Sequence, residues 1–161
     1  MKNRLSHIIF DKSGAVIVEA ALVLPLLIIA ALGAIDASYM MLQNHKLESQ
    51  LSMAASYLSR SDNPVNFETS AKNIALTGGT IANASPILKG WSLADIKISY
   101  LSTNNEPDED GVTLYRGDAT VKTVVIASQL DYKGIGILSS LSPQKLALKA
   151  VVEERVVGGG L

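Results

Sequence analysis

Between Ala15 and Ile35 the chain carries one charged side chain, Glu19, in an otherwise apolar run. The run matches the roughly 20 residues a helix needs to cross a bilayer. A carboxylate in such a span costs about 2.5–3.5 kcal/mol at the bilayer centre and less near the interface. Glu19 therefore asks for a partner or a purpose, and its chemistry is that of an ion seeking a counter-charge. The other candidates carry less. Glu106, Asp108, Glu109 and Asp110 offer oxygen ligands, but the D-x-D-x-D-G-x5-E spacing of a calcium loop is absent, so a solvated turn and no metal are expected. His7 and His45 stand at no triad spacing from a serine and an acid, and no glycine-rich phosphate loop is present. The chain has no cysteine, which excludes thiolate metal sites and disulfides. No catalytic constellation can be nominated, so neither an enzyme nor a cofactor is expected. With 14 Lys+Arg against 15 Asp+Glu there is no basic stripe, and nucleic acid is set aside as a partner.

The element that must position Glu19 is a transmembrane helix over 15–35. Residues 1–14 carry Lys2, Arg4 and Lys12 against Asp11, and Asp36 opens the far side. By the positive-inside bias the leading segment stays in the cytoplasm and everything after Ile35 lies in the periplasm, a single pass through the inner membrane. A cleaved secretory signal is the competitor, but its apolar core is normally about 7–15 residues long. It seldom contains a glutamate, and no clean Ala-x-Ala site precedes Asp36. Pro25 lacks a donor and crowds the preceding turn, so a kink or a loosened turn is expected there.

The helical pattern continues beyond the span. Gly33, Ala37, Met40, Asn44, Leu47, Leu51, Ala54 and Leu58 recur at alternating steps of four and three, while Gln43, Lys46, Glu48, Gln50 and Ser52 make the opposite face polar. One continuous helix over 15–59 would be ~68 Å long at 1.5 Å per residue. Met40, Leu47, Leu51 and Leu58 are expected to pack this stalk, residues 36–60, on the chain's own following domain or on neighbouring subunits.

Ser61-Asp62-Asn63-Pro64 ends the stalk and opens a domain over 61–161. Asn66 is placed to cap a short helix from Phe67 to Leu76, with Ala71, Ile74 and Ala75 on its apolar side and Gly78-Gly79 closing it. Trp91 is expected as a core anchor. From Asp95 the period becomes two, with Ile96, Ile98 and Tyr100 alternating with Lys97 and Ser99. Thr103 to Gly111 reads as a hairpin loop, Val112 to Ala127 as a long strand or a bulged pair around Gly117, and Leu146 to Val157 as a last strand before a glycine tail. The class is α+β, a long N-terminal helix, transmembrane plus stalk, followed by a small antiparallel sheet domain packed on the stalk.

A short basic leader ending in Gly14, then Ala15-Val16-Ile17-Val18 with Glu19 fifth after the glycine, resembles the type III prepilin-peptidase site of type IV pilins and pseudopilins. More closely, Gly-Ala-Val-Ile-Val-Glu-Ala-Ala-Leu-Val-Leu-Pro-Leu-Leu from Gly14 resembles the opening of TadE-like proteins, minor pseudopilins of the Tad (tight adherence, Flp) pilus. The resemblance is sharp from Gly14 to about Arg60. Ala20 follows Glu19 where the major Flp pilins have a tyrosine, which argues against the major subunit. The resemblance implies a pilin-like architecture, a cut between Gly14 and Ala15 by a prepilin peptidase, a role for Glu19 in assembly, and other Tad pilus subunits, inner-membrane assembly proteins and membrane lipid as partners. An unprocessed, membrane-anchored periplasmic binding module is the alternative, and the mass of the mature chain separates the two.

Overall fold

The computed structural model describes residues 12–82, 84–107, 109–113, 115, 119–134, 140 and 145–158. Most of the leading segment, with His7, lies outside them, as do Asp108 and Gly117. One helix dominates: α1 runs from Lys12 to Ser59 without interruption through Pro25. At 1.5 Å per residue it is about 72 Å long. Its far end is closed by Val157 and Gly158, because the Ser59 carbonyl accepts their amides at 2.8 and 3.1 Å. Those bonds satisfy a carbonyl that a helix end leaves without a partner.

A 3-10 turn at Pro64–Phe67 leads into α2, Glu68–Thr77. The N-cap position of α2 falls on Phe67 and makes no side-chain hydrogen bond, so Asn66 does not cap it; the preceding 3-10 turn carries the chain into the helix instead. Gly78 ends α2 in the left-handed region at φ 80°, as expected for a glycine closing a helix.

Three strands, β1 (Ile96–Asn104), β2 (Thr120–Asp131) and β3 (Ala147–Arg155), form an antiparallel sheet in the order β1-β2-β3. The sheet packs on α1 through β2 and β3. The alternation expected from Ile96 onward is present, with Ile96, Val124, Ile126, Leu130 and Leu148 directed into the core against Leu47, Leu51 and Leu58 of α1. Trp91 is 2% exposed, and its Nε1 donates to Ser128 Oγ at 2.9 Å.

The second strand corrects the expectation of Val112–Ala127: it begins eight residues later and runs four further. Asn105, 4% exposed, is the reason for the late start. Its side-chain amide donates to the Tyr115 carbonyl at 2.7 Å and accepts the Tyr115 amide at 3.0 Å, while its backbone N–H reaches the Ala119 carbonyl at 2.8 Å. Groups that a strand from Val112 would place in a ladder are thus used to close a loop. The Arg155 guanidinium stacks 5.1 Å over the Tyr115 ring, holding that loop to the sheet. At the other end Ser128 occupies an inward position, satisfied by Trp91, and the strand continues past a polar residue that masks its period.

Candidate functional site

The residues singled out in the sequence fall into two groups on one helix. Gly14, Ala15, Glu19 and Pro25 lie on a bare arm, where every side chain from Gly14 to Leu32 is exposed. Leu22 at 74% and Ile17 at 68% show how little of this apolar surface the chain covers. An exposed apolar surface of this extent marks contact with membrane or protein, and the helix is long and apolar enough to cross a membrane. Glu19 makes no hydrogen bond or ion pair with any described residue, and it stands one turn beyond Ala15 on the same helical face. Pro25 has no N–H to give, which leaves the Ala21 carbonyl without its intrahelical donor.

Along the second group, Leu47, Leu51 and Leu58 are fully buried and Met40 packs at the edge of the same core. The seam starts one residue earlier than its expected phase: Ala37 is exposed and Asp36 is buried in its stead. Glu154 meets the other end of the seam, accepting Ser56 Oγ at 2.8 Å and Ser59 Oγ at 3.1 Å. The two groups do not meet, since Glu19 and Asp36 are separated by about 26 Å of helix.

Asp36 and its partners are the feature that sequence reasoning missed. The Tyr132 hydroxyl donates to Asp36 Oδ1 at 2.5 Å and lies 2.8 Å from the Asp36 main-chain oxygen. Burial, and then the hydrogen bond and charge of Asp36, push the Tyr132 phenol up to about 12. The Tyr39 ring is tilted against Tyr132 at a centroid distance of 6.4 Å. Gly134 leaves the space this pair needs, because a Cβ there would run into Tyr132 Oη and Asp36 Oδ1. The signal was present in the spacing: Asp36 is in phase with Met40, Leu47 and Leu51, where a charge reads as an interruption of the seam rather than as part of it.

In chemical terms the arm holds one carboxylate in an apolar surface, and the seam holds carboxylates already matched by hydroxyls. Among the described residues no cluster of three or more His, Asp or Glu side chains is arranged to hold a metal. No curated protein and no solved structure matches the chain. Residues 14–56, the bare arm with most of the seam, match the family model described as TadE-like protein, and over this segment the chain is similar to that family.

Proposed function

We propose that this protein is a minor pseudopilin that takes part in assembling a Tad/Flp-type pilus after its leader is removed between Gly14 and Ala15 by a prepilin peptidase. The observation that carries the reading is Glu19, a carboxylate on an uncovered apolar helix with no counter-charge among the described residues. Cleavage creates an α-amino cation at Ala15, at a helix start where the backbone dipole already places partial positive charge. A neighbouring subunit staggered along the bundle presents its own Glu19 to that amine, so each charge answers the other. The role is structural rather than catalytic.

The local structure is compatible with cutting. The Gly14–Ala15 bond lies at the described start of α1, on the bare arm that no other described element covers. A side chain at Gly14 would meet nothing within 4 Å, so the fold itself does not call for glycine there. A close approach of the peptidase to the backbone supplies the reason.

The test reads two quantities on one strain carrying Glu19→Ala: leader removal by mass, and co-purification with other pilus subunits. The expected result is normal cleavage with lost incorporation, since removing one partner of a pair in low dielectric costs about 3–5 kcal/mol when buried and less near an interface. Normal assembly would overturn the charge-matching role. A wild-type chain that keeps residues 1–14 in a strain with an active prepilin peptidase would favour the unprocessed module instead.

A further inference from the structure

The apolar surface of α1 does not stop where the span was expected to end. Tyr39, Met41 and Leu42 are 44%, 67% and 50% exposed, and the side chains of Asp36 and Ser38 just before them are satisfied within the chain. Ser38 Oγ donates to the Ala34 carbonyl at 2.8 Å, and Asp36 is covered by Tyr132. Internal satisfaction of polar groups is what a low-dielectric environment demands. Residues 15–35 rise about 31 Å, the thickness of the hydrocarbon core alone, whereas residues 15–42 rise about 42 Å, the thickness of a bilayer with its head groups. The base of the head, the domain after α1 that meets the helix from Asp36 onward, therefore lies at head-group depth.

That base is basic. Lys46, Lys89 and Lys133 line one recess with Tyr39, Leu42 and Ile87, and no acidic side chain lines it. All three lysines are exposed. The turn at Gly90 and the segment after Tyr132 are brought together there, since a Cβ at Gly90 would lie 2.9 Å from Lys133 Nζ. Lys46 stands higher on α1, but side chains on a helix lean toward its start, which is toward the membrane. Asp95 and Asp131 line a second recess with Lys133, and Asp36, close to Gly134, is buried under Tyr132. Asp95 is taken by the Ser92 backbone and hydroxyl at 2.9 and 2.7 Å, and Asp131 faces Lys145 at 3.9 Å.

We infer that the underside of the head, with Lys46, Lys89 and Lys133 around Tyr39, Leu42 and Ile87, is a docking surface for the anionic phospholipid head groups of the bilayer that α1 crosses. The inference rests on the reading of the arm as a membrane span. Tyrosine rings at the level of the head groups and lysines just above them are the arrangement an interface favours. Docking holds the head at a set depth and tilt, and so sets the height at which its outer surface is offered to other subunits.

The test uses the full chain in vesicles, and the absence of native cysteine permits single labels without further substitution. An environment-sensitive fluorophore is placed in turn at Ile87→Cys, at Leu26→Cys in the arm, and at Lys122→Cys. Lys122 is the distant control, since its carbonyl accepts from Val156 at the far end of the head, close to where Val157 meets Ser59. Ser59 is about 35 Å along α1 from Asp36. In vesicles of phosphatidylcholine with phosphatidylglycerol, a head-group quencher should act strongly at position 87 and weakly at 122. An acyl-chain quencher should act at 26. Replacing the three lysines together by glutamine should lower the ratio of seated to lifted heads on the order of a hundredfold, about fivefold per lysine, and salt should do the same in the unaltered chain. Quenching at 26 with none at 87 would overturn this inference and leave the span standing; no quenching at 26 would overturn both. Quenching at 87 that is equal without phosphatidylglycerol, or in the triple variant, would overturn the anionic docking.

Discussion

Removing α1 should abolish the fold of everything after it, and the burial on the seam says by how much. Leu47, Leu51 and Leu58 are fully buried, with Ala54 and Ala55 beside them. At about 1.5–3 kcal/mol per buried leucine these three alone contribute about 5–9 kcal/mol. That is an upper figure, because unfolded chains already cover part of such surface. A domain of this size has a total stability of about 5–15 kcal/mol, so losing a contribution of that size is enough to unfold it. Truncation also strips Glu154 of the Ser56 and Ser59 hydroxyls and the Val157 and Gly158 amides of the Ser59 carbonyl. Residues 62–161 produced alone should therefore give no cooperative thermal transition by circular dichroism and collapsed amide dispersion by NMR, while residues 36–161, which retain the seam, should show both. A cooperative transition from residues 62–161 alone would refute the claim that the sheet depends on α1.

Tyr132→Phe removes one donor from a fully buried Asp36 and should destabilise the head by about 1.5–3 kcal/mol. At about 4–8 °C per kcal/mol for a domain of this size, the melting temperature in detergent should fall on the order of 10 °C; an unchanged value would show that Asp36 does not rely on the phenol. Because the folded Tyr132 is raised from 10.0 to about 12, its contribution is complete below pH 10 and is lost as the pH climbs toward 12. Alkaline titration should accordingly lower the melting temperature across that window, with a gentler fall in Tyr132→Phe, which has no proton to lose. Gly134→Ala should cost about 1–3 kcal/mol by overpacking the same pair. Combined with Tyr132→Phe its effect should be less than additive, since Tyr132 Oη, one of the atoms it collides with, is gone; strict additivity would leave the clash with Asp36 and the Tyr132 ring.

The long helix, the arm and the class of the fold were legible in the sequence because each rests on a pattern local to the chain. An apolar run with one charge reads as a helix that a membrane can hold, and a step of four and three reads as a seam, whatever the rest of the molecule does. Glu19 was identifiable for the same reason, since its oddity is defined by its immediate neighbours. What required the tertiary structure was every feature whose partner is remote. Asp36 reads as the first charge beyond a span until Tyr132, 96 residues away, turns it into a buried acceptor. The start of β2 was misplaced because Asn105 claims the Tyr115 backbone, and its end because Trp91 satisfies Ser128. The recess of Lys46, Lys89 and Lys133 is assembled from three separate segments, and no spacing along the chain announces it. Periodicity records which face of an element is apolar, whereas the pairing of a buried polar group depends on where the fold brings its complement.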